Sequence, residues 1–246
     1  MTVKRVLVTG ASRGIGRAIA LKLASDGWQV AVHYNSARAE AESLAFELGN
    51  NASGIYSANL SEPDQAAQLW DAANADGQVD ALVNNAGIYI PVPFTAPETE
   101  FEAARKAMFA VNFESPLKLI RSAVLDFATQ GGGNVVNVAS RVGFRGEANA
   151  SMYAASKAAL INLTRSLAVE LAKQNITISG IAPGWVDTSM ARDGMQDRLP
   201  SILETIPLGR MASPEDCAEV TAFLLRPEAK YLSGVVVDIN GASYFH

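Results

Sequence analysis

Tyr153 and Lys157 are the two residues of this 246-residue chain whose types and spacing most directly suggest chemistry. They lie in Tyr153-Ala154-Ala155-Ser156-Lys157, within an alanine-rich stretch that reads as helix. An i, i+4 spacing puts both on one helix face. A tyrosine with its usual pKa near ~10 is a poor base at neutral pH. Lowering it by about 2–3 units takes roughly 3–4 kcal/mol, which one ammonium about 4 Å away at an effective dielectric of about 20 supplies. Lys157 is therefore expected to make Tyr153 a usable acid/base. Ser140 closes the run Val135-Val136-Asn137-Val138-Ala139-Ser140 at the carboxyl end of a predicted strand. Open α/β sheets bind ligands at such ends, and a hydroxyl there could hydrogen-bond a substrate oxygen as charge develops on it. Each feature alone also has a plain structural reading, as a surface helix pair or a strand-end turn.

A second constellation lies near the start. Val6-Leu7-Val8-Thr9-Gly10-Ala11-Ser12-Arg13-Gly14-Ile15-Gly16 runs from a strand through three glycines into an amphipathic helix. Such a turn lets backbone approach a pyrophosphate and aims helix N–H groups at it. Gly10, Gly14 and Gly16 do not have the usual dinucleotide spacing, so strand-turn-helix context carries the reading. Gly10-Ala11-Ser12-Arg13-Gly14 also matches the nucleophile elbow of esterases, which needs an acid and then a histidine downstream. His33 and His246 are poorly placed for that. The second strand ends His33-Tyr34-Asn35-Ser36-Ala37-Arg38. Tyr34 stands where an NAD site places its ribose-binding acid. With Arg13, Asn35, Ser36 and Arg38 nearby, a 2′-phosphate is expected, so NADP(H) is favoured over NAD(H). Asn35-Ser36 would also cap the next helix.

The elements needed to position these groups are legible. Apolar runs recur at Val3–Val8, Gln29–His33, Gly54–Ala58, Ala81–Asn84, Asn134–Val138, Thr177–Ile181 and Val235–Ile239. They hardly alternate in polarity, as strands buried on both faces should. Helix-length segments lie between most of them: Ile15–Ser25, Ser36–Leu48, Glu62–Asn74, Glu98–Phe113, Pro116–Thr129 and Met152–Lys173. This alternation predicts an α/β protein with a parallel sheet covered by helices on both faces. Ser61 reads as a helix cap, and Ser213-Pro214-Glu215-Asp216 as another. Loops are expected at Arg141–Ala150 and Thr188–Arg210, the second long enough for a lid over a site.

Composition narrows the function further. The chain is 49% hydrophobic and 18% charged, enough to bury a core, and its net charge of −5 gives no general pull on nucleic acid or an anionic membrane. One cysteine, Cys217, excludes an internal disulfide and a multi-cysteine metal site, and no metal is expected. No apolar run approaches a membrane span and no signal-peptide core follows the first residues, so a cytoplasmic location is expected.

Taken together, the glycine turn, Asn84-Asn85-Ala86-Gly87, Asn112, Ser140, Tyr153/Lys157 and Pro183-Gly184 resemble, in order and spacing, the short-chain dehydrogenase/reductases. The resemblance spans essentially the whole chain. It implies one dinucleotide-binding and catalytic domain over 1–246, a doubly wound Rossmann-type fold with a seven-stranded parallel sheet, and a lid at about 188–210. It implies catalysis by Asn112, Ser140, Tyr153 and Lys157, with Asn112 holding a water that links Lys157 to solvent. The cofactor would meet Gly10, Ser12, Arg13, Gly14, Ile15, Gly16, Tyr34, Asn35, Ser36, Asn59, Leu60, Asn85, Ala86, Gly87, Tyr153, Lys157, Pro183, Gly184, Val186 and Thr188. Asn59 departs from the family, which usually has Asp there. The implied reaction is NADPH-dependent reduction of a ketone or aldehyde, the partner a small carbonyl or alcohol compound, and the assembly a homotetramer or homodimer. The gap between Tyr153 and Lys157 is that of the family's ketone/alcohol enzymes. Alternatives left open are an oxidative alcohol, sugar or steroid dehydrogenase, a 3-oxoacyl-carrier-protein reductase, and a non-catalytic NADP sensor. Expected pocket walls are Ile88–Phe94, Val142–Arg145, Trp185, Met190 and Met195, with Arg141 and Arg145 able to attract an anion.

Overall fold

The computed structural model describes residues 3–195 and 198–246, with only the backbone described at 193–195. Met195, expected in the pocket wall, therefore has its side chain outside the described residues. Seven strands form one sheet: β1 (Arg5–Val8), β2 (Gln29–Tyr34), β3 (Ala52–Ser57), β4 (Ala81–Asn84), β5 (Gly133–Val138), β6 (Ile176–Pro183) and β7 (Val236–Ile239). All neighbours pair in parallel, in the order β3-β2-β1-β4-β5-β6-β7. The order reverses between β1 and β4, which opens a crevice at the strands' carboxyl ends.

Period-two alternation shares each strand between two cores. Val6 and Val8 of β1, Val30 and Val32 of β2, and Val83 of β4 pack on one face. They meet α1 (Gly14–Ser25), α2 (Arg38–Leu48) and α9 (Pro214–Leu224), where Cys217 is fully buried. Leu7, Ala31 and Leu82 point to the other face, against α3 (Asp64–Ala75), α5 (Ser115–Gln130) and α6 (Ser151–Leu171). Trp70 of α3 packs edge-on to Phe127 and donates to Asp126 at 2.7 Å.

The layers are tied by a buried polar chain. Asn84 of β4 donates to Asn137 of β5 at 2.9 Å, and Asn137 donates to Thr164 of α6 at 2.9 Å. Inside a low-dielectric core such bonds fix register, because a slip would strand each amide.

Four local expectations change. Asn35-Ser36 does not cap α2: Ala37 occupies the N-cap, with no side-chain cap bond. Ser61 does not cap α3: its N–H and hydroxyl bond the Asn59 side chain, and Pro63 occupies the N-cap. The helix predicted over Glu98–Phe113 ends at Phe109 as α4 (Glu98–Phe109), and a π-helical turn, Ala110–Glu114, joins it to α5. The stretch Thr188–Arg210 holds two short helices, α7 (Ser189–Met195) and α8 (Leu199–Glu204).

Ser213 does cap α9, through a reciprocal box: its hydroxyl accepts from Asp216 N–H and Asp216 accepts from Ser213 N–H at 2.8 Å. Ser213→Ala should lower unfolding stability by about 1 kcal/mol, read as a shift of the urea midpoint at constant slope.

Candidate active site

The glycine turn follows from what surrounds it. Gly10 and Gly14 have φ of +62° and +55°, the left-handed region. A Cβ at Gly16 would sit 2.3 Å from the Gly10 carbonyl oxygen and 2.4 Å from Asn85 Nδ2, so α1 reaches the turn only because that carbon is missing. Asn85 fastens the turn to β4: its Nδ2 donates to Thr9 O (2.8 Å) and Gly10 O (3.1 Å). The Thr9 hydroxyl accepts from Asn85 N and Ala86 N at 2.9 and 3.0 Å.

His33 holds the other side. Gly10 N–H donates to its Nδ1 at 2.9 Å, which leaves the ring proton on Nε2, 3.1 Å from Ala58 O. Burial pushes this imidazole down to about 4, so it is neutral at physiological pH. His33 was not singled out from sequence as a site residue. Its place at the end of the strand beside the glycine turn is the signal that could have found it.

At the far end, Lys157 of α6 is buried, and its Nζ donates to Val138 O of β5 at 2.9 Å. The same ammonium lies 5.9 Å from the Tyr153 ring centre. Burial pulls Lys157 down to about 8. Tyr153 departs from expectation, because it is pushed up to about 12 rather than lowered. Burial is the main cause; the hydrogen bond with Ser140 opposes it, while Tyr89 and Glu147 add to it. The ammonium is held by a β5 carbonyl, and desolvation dominates the phenol. Tyr89 packs edge-on to Tyr153, with centres 5.1 Å apart.

Asn112 sits in the π-helical turn, fully buried. Its Oδ1 accepts from Ile88 N (2.9 Å), and its Nδ2 donates to Ile88 O (3.0 Å) and Ser156 Oγ (3.2 Å). It thus clamps the segment after Gly87. A Cβ on Gly87 would lie 3.3 Å from Asn112 Oδ1 and 3.4 Å from Lys157 Nζ.

One cleft of about 550 Å³ joins the two ends. Gly10, Ser12, Arg13, Gly14, Ile15, Asn35, Ser36, Asn59, Leu60, Asn85, Ala86 and Gly87 line one part of it. Ser140, Tyr153, Lys157, Pro183, Gly184, Val186 and Thr188 line the rest. Three residues assigned from sequence lie off the wall. Tyr34 turns into the core with Val30 and Val32, Gly16 lies behind the turn, and Asn112 supports the wall from beneath. Of the expected substrate walls, Ile88, Tyr89, Val142, Trp185 and Met190 line the cleft. Phe94 is 75% exposed and packs on Phe101 instead, and Arg145 is off the wall. Glu147 lines this end and was not anticipated.

The donor set fits a dinucleotide. Left-handed glycines and the first turn of α1 can take a pyrophosphate. Arg13 is exposed beside them, and among the described residues its side chain makes no ion pair. Glu147 is the sole carboxylate among the described residues lining the cleft, and it lies at the Tyr153 end. Nothing there would repel a phosphate near Asn35 and Ser36.

Comparisons with known proteins agree in extent. A family described as Enoyl-(Acyl carrier protein) reductase matches residues 10–242. The 3-oxoacyl-(acyl-carrier-protein) reductase FabG of Staphylococcus aureus is 37% identical over 248 aligned residues, covering 98% of both chains. A blue fluorescent protein from a metagenomic library, solved in complex with NADPH, superposes with a TM-score of 0.90 at 31% identity, covering 98% of each chain. A putative NAD(P)-dependent gluconate 5-dehydrogenase of Beutenbergia cavernae, solved with bound NADP, gives 0.90 at 33%, covering 98% of this chain and 96% of that one.

The neutral His33 carries a pH signature. Its pKa is about 4 in the fold against 6.5 in the unfolded chain. Between those values the unfolded chain binds the extra proton, so stability falls as pH falls from 6.5 towards 4. The loss attributable to His33 should approach about 3 kcal/mol. His33→Asn, which has no titrating proton there, should lose about that much less stability than the unmodified protein across the window, read by urea unfolding.

Proposed function

The chain belongs to the short-chain dehydrogenase/reductase family, and from that premise we propose that it is an NADPH-dependent reductase converting a ketone or aldehyde to an alcohol. The observation that carries this reading is that Ser140, Tyr153 and the buried Lys157 line the same cleft as the glycine turn, with the Lys157 ammonium 5.9 Å from the Tyr153 ring centre. When bound, the nicotinamide supplies the hydride. The Ser140 hydroxyl orients the carbonyl oxygen and stabilises charge on it. Tyr153, held protonated by its surroundings, donates the proton from Oη to that oxygen. The Lys157 ammonium beneath the ring offsets the charge left on the phenolate. Asn112 is a positioning residue, acting through Ile88 and Ser156. Arg13, Asn35 and Ser36 would take the 2′-phosphate, and Asn59 and Leu60 would flank the adenine. Pro183, Gly184, Val186 and Thr188 would flank the nicotinamide.

The relatives' names support a second reading on the substrate side, a 3-oxoacyl thioester. The three-residue gap between Tyr153 and Lys157 favours a ketone over an enoyl substrate.

We read 1–246 as one functional unit, with α7 and α8 as its lid; Ser189, Met190 and Ala191 already line the cleft. Self-association as a homotetramer fits the exposed Leu125 of α5 and Val169 of α6. No helix of the described residues is long and apolar enough to cross a membrane, and we place the protein in the cytoplasm.

Tyr153→Phe should lower turnover by about 10²–10⁴-fold while NADPH still binds, measured by quenching of tryptophan fluorescence. A non-catalytic sensor would keep its function in that variant. NADPH should bind at least about tenfold tighter than NADH, and Arg13→Glu should erase most of that difference. Equal affinities in the unmodified protein would overturn the assignment to NADP.

A further inference from the structure

Arg141 follows Ser140 directly and lines the substrate end of the cleft, yet only 4% of it is exposed. A buried guanidinium has five donors to satisfy and a charge to balance. Here little answers it. Nη1 donates to the neutral Ser243 hydroxyl at 2.6 Å. Nη2 stands 3.8 Å from Glu147 Oε2, close enough for attraction but too far for a hydrogen bond. Nε is buried with no acceptor among the described residues. Burial, and then Arg145, disfavour the charge, and Glu147 is the group that favours it.

The position of Arg141 is well fixed. The turn Arg141–Gly143 is overlaid by the segment 240–246, where Tyr244 donates to Phe144 O at 3.2 Å and His246 stacks on the Phe144 ring at 3.7 Å. The Ser243 bond belongs to the same overlay. Arg141 is therefore fixed in the lining of the same cleft as Ser140 and Tyr153, with its Nε unpartnered among the described residues. Among the described residues no carboxylate makes bidentate contact with it, Glu147 standing 3.8 Å off, and a planar two-oxygen anion is what a guanidinium fork matches.

We infer that Arg141 receives a carboxylate carried by the substrate, so that the compound reduced is a small oxo acid with its carboxylate a few bonds from the carbonyl. The inference rests on the reductase reading above and specifies its substrate. The balance is oxo acid plus NADPH plus one proton giving hydroxy acid plus NADP⁺. The carbonyl carbon gains the hydride, its oxygen gains the Tyr153 proton, and the carboxylate is unchanged. Glu147 competes for the same guanidinium, so its charge should weaken the substrate's hold.

The test compares pyruvate, acetoacetate and levulinate, each beside its own methyl ester, with the full chain and NADPH, following loss of NADPH absorbance. For at least one pair, kcat/KM should favour the acid by about tenfold or more. Arg141→Gln should collapse that acid-to-ester ratio by about the same factor, Arg141→Lys should recover part of it, and Glu147→Gln should raise it. A purely structural role for Arg141 would lower acid and ester together and leave the ratio unmoved, which overturns the inference. Glu147→Gln supplies an independent reading if Arg141→Gln fails to fold, and an unchanged or lowered ratio there counts against the inference. Wild-type protein that reduces the esters and prefers them to every acid sinks the oxo-acid substrate and leaves the reductase standing. Reduction of neither set sinks both.

Discussion

An ammonium buried beneath a cleft costs several kcal/mol, and among the described residues the fold answers Lys157 with one hydrogen-bond acceptor, Val138 O, at 2.9 Å. Much of the surrounding structure follows from keeping that group where it is. Its acceptor comes from β5, so α6 must cross the sheet at one height. The Asn84–Asn137–Thr164 chain sets that height by linking β4, β5 and α6. A Cβ on Gly87 would press on Asn112 Oδ1 and touch Lys157 Nζ, so a glycine there leaves both undisturbed. A cation so sparsely compensated is well suited to a phenol above it that must pass through a charged state.

The same sheet serves the opposite end of the cleft by different means. There the groups are nearly all neutral: backbone N–H, Asn85, the Thr9 hydroxyl and an imidazole locked in one tautomer. Neutral donors on a rigid turn suit a ligand that brings its own negative charge. The two ends meet at the sheet's switch point between β1 and β4, and the segment after β4 runs between them, Asn85 fastened to the glycine turn and Gly87 beside Lys157.

Much of this was legible in the residues. Strands buried on both faces leave short β-branched runs, and these marked the inner strands; the edge strands β3 and β7 were marked too, although they are only partly buried. Gly10 and Gly14 marked the turn between β1 and α1, though not its left-handed backbone. Other features had no local sign. Tyr34 was assigned to the cleft by counting along the chain, but residues on a strand alternate in facing; Val30, Val32 and Tyr34 share the core side. Helical spacing showed that Tyr153 and Lys157 share a face, but not that a β5 carbonyl would hold the ammonium while burial dominated the phenol. Arg141 and Glu147 are neighbours through a turn whose geometry depends on the segment 240–246. No window around Ser140 contains that partner.

The π-helical turn at Ala110–Glu114 passed unread because none of its residues needs an unusual φ. Its wider hydrogen-bonded loop acts as a phase shift along one continuous rod. Upstream, α4 turns Ala104 and Met108 towards Val92; downstream, α5 turns Leu119, Ile120 and Phe127 to the sheet. Each residue of an α-helix advances the azimuth by about 100°. Deleting one residue here would therefore not shorten a loop. It would let the wide i→i+5 turn close to an ordinary i→i+4 one with both faces kept, whereas deleting a residue from α4 or α5 would rotate one half against the other by about that angle, so this turn is where the rod stores its one spare residue.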